Sequence, residues 1–78
     1  MIKNWIATLQ DNDFHSRRTT LSLIRILRRL LLSENEQDRR AIFESAADRS
    51  GPLFVLRGFV SELGQMSGDS RFLTLRAK

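Results

Sequence analysis

Apolar side chains recur along this chain at the three- and four-residue spacing that places them on one face of an α-helix. The first segment repeats the spacing at four positions: Ile2, Trp5, Ile6 and Leu9. The polar stretch at 11–13 then predicts a break, because short polar side chains cap helix starts. A second helix is predicted from Phe14 or Ser16 to Leu32, with one aliphatic side formed by Leu23, Ile24, Ile26, Leu27, Leu30 and Leu31.

A third helix is predicted at about 34–49. Ser33 and Glu36 have the spacing of a capping box, in which two side chains satisfy the free amides of a helix start. The apolar side of this helix has four members: Ile42, Phe43, Ala46 and Ala47. Its end is predicted at Gly51 in the left-handed conformation, and Pro52 suits the first position of the next helix.

The fourth helix is predicted at about 52–66 and has a broad apolar stripe: Leu53, Val55, Leu56, Phe59, Val60, Leu63 and Met66. Gly58 and Gly64 lie inside it. Glycine is unfavourable in a helix interior, so these residues either permit close approach of a neighbouring helix, which we favour, or mark local fraying. The segment 69–78 has no clear period and is expected to be a tail, docked or flexible.

These elements predict an all-α fold, a small bundle of about four helices with a short C-terminal tail. A single helical domain is expected at 1–68, followed by the tail at 69–78. Helices 2 and 4 have more apolar surface than the two weaker helices can cover, which favours a two-fold homodimer. In a competing account, Phe72, Leu73 and Leu75 fold back over the groove instead.

The composition narrows the function. The 78 residues include no cysteine and one histidine, His15, which excludes a disulfide and a common zinc cluster. The first 13 residues lack the apolar core of a signal peptide. The most apolar stretch, 21–32, contains three arginines and is too short to span a bilayer. We expect a cytoplasmic protein with no membrane span and no cofactor.

The arginines of the second helix are its most distinctive feature. The chain has 13 basic and 9 acidic residues, a formal net charge of +4, and 11 of the basic residues are arginine. On a helical wheel, one sector of about 120° opposite the aliphatic side contains seven residues: Arg17, Arg18, Leu21, Arg25, Arg28, Arg29 and Leu32. This arginine face is the predicted partner-binding surface.

Several roles are open for the arginine face. It could be solvated, or paired with the acids that follow: Glu34, Glu36, Asp38, Glu44 and Asp48. It could bind a phosphate backbone, an acidic protein or, less consistently with a core behind it, a lipid surface. Leu21 and Leu32 inside the charged sector favour a protein partner, because interfaces combine arginine with large apolar groups.

Other motifs are weak. Ala47 and Gly51 have a helix-turn-helix spacing, but the recognition helix would open with apolar residues that cannot read bases. Asp13, His15 and Ser16 are too close in sequence for triad geometry, and Glu44 with Asp48 makes a poor cation site. The sequence favours a non-enzymatic protein-interaction module: a regulator, inhibitor or adaptor that blocks another macromolecule, as phage-type or host inhibitors do. The alternative is a sequence-tolerant nucleic-acid-binding protein.

Overall fold

The computed structural model describes residues 2–32 and 35–77, and over these residues the chain is all-α. It has four α-helices: α1 at Ile2–Ala7, α2 at Arg17–Leu32, α3 at Glu36–Ala47 and α4 at Arg57–Met66. Three short 3-10 helices accompany them, at Asp11–Phe14, Phe54–Leu56 and Ser70–Ala77. The predicted all-α bundle of about four helices is confirmed.

One hydrophobic core draws on every α-helix. It contains Ile6, Leu27, Leu31, Ala41, Ile42, Ala46, Leu53, Leu56, Val60, Phe72 and Leu75. The predicted apolar side of α3 is confirmed, since Ile42 and Ala46 are fully buried and Phe43 and Ala47 pack against the core. None of the helices in the described part of the chain combines the length and apolar character that crossing a membrane requires.

The buried side of α2 is narrower than predicted. Leu23, Leu27 and Leu31 are buried at successive four-residue steps. Ile24 and Leu30 flank them and are half-buried. Ile26 was predicted in the same sector but is 42% exposed. Ile26 lies at the edge of the predicted sector, about 100° around the helix from Leu27, and α3 and α4, which pack against α2, leave that edge uncovered.

The start of α3 is fixed by Asn35. Its side-chain oxygen accepts hydrogen bonds from the backbone amides of Gln37 (3.0 Å) and Asp38 (3.2 Å), which would otherwise lack helical partners. The predicted capping box depends on Ser33, which lies outside the described residues. The other box member, Glu36, forms an ion pair with Arg71 through Oε1 at 2.8 Å.

The connection between α3 and α4 corrects two predictions. Gly51 does not adopt the left-handed conformation. Glycine is required there because an added Cβ would collide with the backbone carbonyl oxygen of Ser45. Pro52 does not begin a helix either; it lies in a turn, and α4 begins only at Arg57 after the 3-10 turn Phe54–Leu56.

The residues of the predicted α4 stripe divide into a buried group and an exposed group. Leu53, Leu56 and Val60 are buried and Leu63 is half-buried. Three residues of the stripe are exposed: Val55, Phe59 and Met66. Within α4, Val60, Ser61 and Gly64 face the core, which leaves Phe59 and Met66 on the outer side; Val55 lies in the 3-10 turn.

The C-terminal 3-10 helix Ser70–Ala77 packs along α4. Phe72 and Leu75 are fully buried, whereas Leu73 is 51% exposed. Gly64 permits this contact, because an added Cβ would overlap the Phe72 side chain. Close approach is thus confirmed at Gly64. It is wrong at Gly58, where nothing lies within 4 Å of the Cβ position.

A left-handed glycine does terminate a helix in this chain, at the end of α4. Gly68 has φ 84°. The Asp69 amide donates to the Gly64 carbonyl at 2.9 Å, and the Gly68 amide donates to that of Gln65 at 3.0 Å. These two bonds form a Schellman motif, which turns the chain so that Ser70–Ala77 returns along α4.

Candidate interaction surface on the second helix

The arginine face lies on the outer side of α2. All five of its arginines are exposed, and Leu21 and Leu32 are 52% and 53% exposed. The face is exposed because Leu23, Leu27 and Leu31 turn the opposite side of α2 to the core. The structure therefore brings all seven predicted site residues onto one surface.

The arginines of this face are not neutralised within the described part of the chain. None of them forms an ion pair there; the ion pairs instead join Arg71 to Glu36 and Asp69, and Arg76 to Glu62. Of the acids considered as partners, Asp48 accepts hydrogen bonds from the Ser50 amide (3.0 Å) and hydroxyl (2.9 Å). Glu34 lies outside the described residues.

The C-terminal half of the face concentrates the charge. Arg25, Arg28, Arg29 and Leu32 line a shallow concavity of about 540 Å³. Arg25 is three residues from Arg28 and four from Arg29, so these like charges are neighbours and each pair costs the helix about 0.2–0.5 kcal/mol. An acidic ligand on this surface would remove that repulsion while covering Leu32.

The other sequence motifs do not assemble into sites. The Asp13 carboxylate accepts a hydrogen bond from the Gln10 amide at 2.7 Å, and His15 and Ser16 are exposed. In the described part of the chain, no group of three or more His, Cys, Asp or Glu side chains comes together. The helix-turn-helix geometry is absent because no helix begins at Pro52.

Glu44 and Asp48 lie at the edge of a groove between α1, α3 and the turn at 48–52. The groove measures about 460 Å³ and is lined by Ile6, Ala7, Ala41, Glu44, Ser45, Asp48, Gly51 and Pro52. The Ser50 backbone amide, and then its hydroxyl, hold the pKa of Asp48 below its usual value. The groove therefore has two exposed carboxylates at its edge, which are too few ligands for a cation site.

A second exposed surface lies on the outer side of α4. This outer α4 stripe consists of Val55, Phe59, Glu62 and Met66, all exposed. Val55, Phe59 and Met66 belong to the apolar stripe predicted from the sequence, but the sequence does not indicate which members of that stripe stay exposed.

No model of a known protein family, no curated protein and no solved structure matches this chain.

Proposed function

We propose that the chain is a small non-enzymatic protein-interaction module that binds an acidic protein surface through the arginine face of α2. A regulator, inhibitor or adaptor acting by occupation needs a surface of this kind and no catalytic group. The observation that carries the proposal is five exposed arginines, free of ion pairs within the described residues, around two half-exposed leucines.

The two leucines favour protein over nucleic acid. Arginine binds carboxylates and phosphates equally well in geometric terms. A phosphate backbone gains nothing from Leu21 and Leu32, whereas a protein partner can bury them beside the guanidinium groups. The concavity formed by Arg25, Arg28 and Arg29 supports the second candidate, a sequence-tolerant nucleic-acid-binding protein.

Two probes separate these functions: a labelled acidic amphipathic peptide of glutamate and leucine, and a labelled mixed-sequence DNA duplex. We expect the peptide to bind, and the double variant Leu21→Ala/Leu32→Ala to weaken that binding. If the duplex is the true ligand class, the leucine variant binds it like the wild type. Arg25→Gln/Arg29→Gln then reduces the salt slope, log Kd against log salt, by about 1.8 because two phosphate contacts are lost.

A matched control is available on α3 and the following turn. Arg40 and Arg49 are exposed, so Arg40→Gln/Arg49→Gln removes the same charge from another surface. The proposal requires Arg25→Gln/Arg29→Gln to lose peptide binding and Arg40→Gln/Arg49→Gln to retain it. Equal losses would show that net charge alone attracts the probe, and would refute a specific site on α2.

Two further properties belong to the proposal. We place the protein in the cytoplasm; the support is the sequence, in which cysteine is absent. We also propose that it forms a homodimer. The C-terminal 3-10 helix covers part of the apolar surface that suggested pairing, but Val55, Phe59 and Met66 remain at least half exposed. Light scattering across a dilution series tests this, since a monomer mass at high micromolar concentration would contradict it.

A further inference from the structure

We infer that the outer α4 stripe is the surface on which two copies of this chain pair about a two-fold axis. The inference rests on the proposed homodimer and assigns its interface. It leaves the arginine face of α2 free on both copies, so one dimer offers two partner-binding surfaces.

The first argument is the position of the apolar groups. Val55, Phe59 and Met66 are 59%, 50% and 66% exposed. Phe59 and Met66 are seven residues apart in α4 and so share one side of it, and Val55 lines the same depression as Phe59. The opposite side of α4 is already occupied, because Val60, Ser61 and Gly64 face the core and the C-terminal 3-10 helix. The apolar members of the outer α4 stripe are therefore left at least half exposed by the described part of the chain.

The second argument is charge, which selects a second copy as the occupant. In a two-fold interface the same patch meets itself, so the patch must be self-complementary. The patch formed by the outer α4 stripe and the neighbouring Arg76 meets this condition. Glu62 and Arg76 lie side by side, with Oε1 of Glu62 and Nη2 of Arg76 3.2 Å apart. Both side chains are largely exposed, so each can face its opposite charge on the other copy. The arginine face is positive throughout and would repel itself.

The third argument is shape. A depression of about 310 Å³ lies beside the Phe59 ring, lined by Val55, Gly58, Phe59, Glu62 and Arg76. The space at Gly58 is open, with nothing within 4 Å of a Cβ position. A projecting ring next to a depression on the same patch suits two-fold pairing, because each Phe59 can enter the depression of the other copy.

The interface is small. The ten residues of α4 extend about 15 Å, so two such helices bury less than the roughly 800 Å² per partner of a standard interface. We therefore expect a dissociation constant in the range of about 1–100 μM. Sedimentation equilibrium or light scattering across that range measures it.

The test uses two charge reversals on the full chain. Glu62→Arg and Arg76→Glu each place like charges across the proposed axis, twice per dimer by symmetry. We expect each variant alone to dissociate about tenfold more readily than the wild type. Mixed in equal amounts, they should form a heterodimer at least as stable as the wild-type dimer, because every cross-interface pair is then opposite in charge.

Glu44→Arg and Arg40→Glu provide the matched control. Both positions are exposed on α3, and the reversals change the formal net charge of +4 to the same values as the test pair, +4 + 2 = +6 and +4 − 2 = +2. Each control variant should dimerise like the wild type, alone or mixed. If the control pair behaves like the test pair, net charge governs pairing and the assignment to α4 is wrong.

Gly58→Gln tests the depression without endangering the fold. The site is open and glutamine is a better helix former than glycine, so the monomer should remain as stable as the wild type. Filling the depression should raise the dissociation constant about tenfold. A wild-type monomer throughout would overturn the homodimer itself, whereas a wild-type dimer unaffected by these variants would overturn only the interface. Peptide binding by the arginine face is measured separately and depends on neither result.

Discussion

Gly64 and Gly58 both lie inside α4, and replacing each with alanine tests how the C-terminal 3-10 helix is held. At Gly64 an added Cβ would overlap the Phe72 side chain, with Cδ2 only 2.6 Å away. Phe72 has little room to retreat, because it is fully buried. Its ring also meets that of Phe43 edge to face at a centroid distance of 5.4 Å. At Gly58 the same methyl group enters open space.

The two substitutions should change stability in opposite directions. Alanine gains up to about 1 kcal/mol over glycine in a helix interior, and Gly58→Ala should show most of that gain. Gly64→Ala has the same gain but overpacks the core, which costs about 1–3 kcal/mol. If Phe72 is expelled, the cost approaches the roughly 3–5 kcal/mol of a Phe→Ala change. A chain of 78 residues has a total free energy of unfolding of about 4–12 kcal/mol. Either cost at Gly64 is therefore a large fraction of the total.

The assay is urea and thermal unfolding followed by far-UV circular dichroism, at one low micromolar concentration. A change of 1 kcal/mol shifts the Tm of a domain this size by about 4–8 °C. We therefore expect Gly58→Ala to melt above the wild type and Gly64→Ala to melt several degrees below it. Adding Phe72→Leu should cost less in the Gly64→Ala background than in the wild type. Equal effects of the two alanines, or additivity with Phe72→Leu, would refute the contact.

Three further substitutions test other parts of the fold. Asn35→Ala removes the side-chain cap of α3 and should lower the free energy of unfolding by about 1 kcal/mol; an unchanged urea midpoint would contradict the cap. Gly51→Ala should destabilise more than Gly58→Ala stabilises, because the backbone oxygens of Ser45 and Asp48 cannot yield as a side chain does. Hydrogen bonds from the Arg71 guanidinium lower the pKa of Asp69. The stability that this pair contributes is therefore present above the ordinary aspartate pKa and is lost as pH falls through the lowered value. Asp69→Asn should therefore flatten the acid side of the stability curve, and an unchanged acid slope would show that the pair contributes nothing.

The arginine face could be predicted from the sequence because one regular helix decides it. From Arg17 to Leu32 nothing interrupts the period, so the wheel places charged and aliphatic residues on opposite sides. Even there the width of the buried strip was overestimated at Ile26, because it depends on how closely α3 and α4 approach. Local period alone does not contain that information.

The α4 surface could not be predicted in the same way. Residues 52–66 have one continuous apolar pattern, but the structure divides them between a turn, the 3-10 turn at Phe54–Leu56 and α4, and the packing of α4 on the core decides which apolar residues are buried. Just before that turn, Gly51 packs against the backbone of Ser45, a contact that the local pattern does not contain. The ion pair between Arg71 and Glu36, which are 35 residues apart in sequence, is likewise set by the fold. The sequence therefore predicts the apolar stripe, whereas the fold decides which of its members stay exposed and forms the Glu62–Arg76 ion pair beside them.

The central claim is that the arginine face of α2 binds an acidic protein, and affinity capture from the lysate of the source organism tests it most directly. The baits are the wild-type chain, Arg25→Gln/Arg29→Gln, Leu21→Ala/Leu32→Ala, and the control Arg40→Gln/Arg49→Gln, each with and without nuclease. We expect a protein that survives nuclease, is retained by the control and is lost with both α2 variants. Capture that disappears with nuclease, or that is equal for all four baits, would contradict the claim.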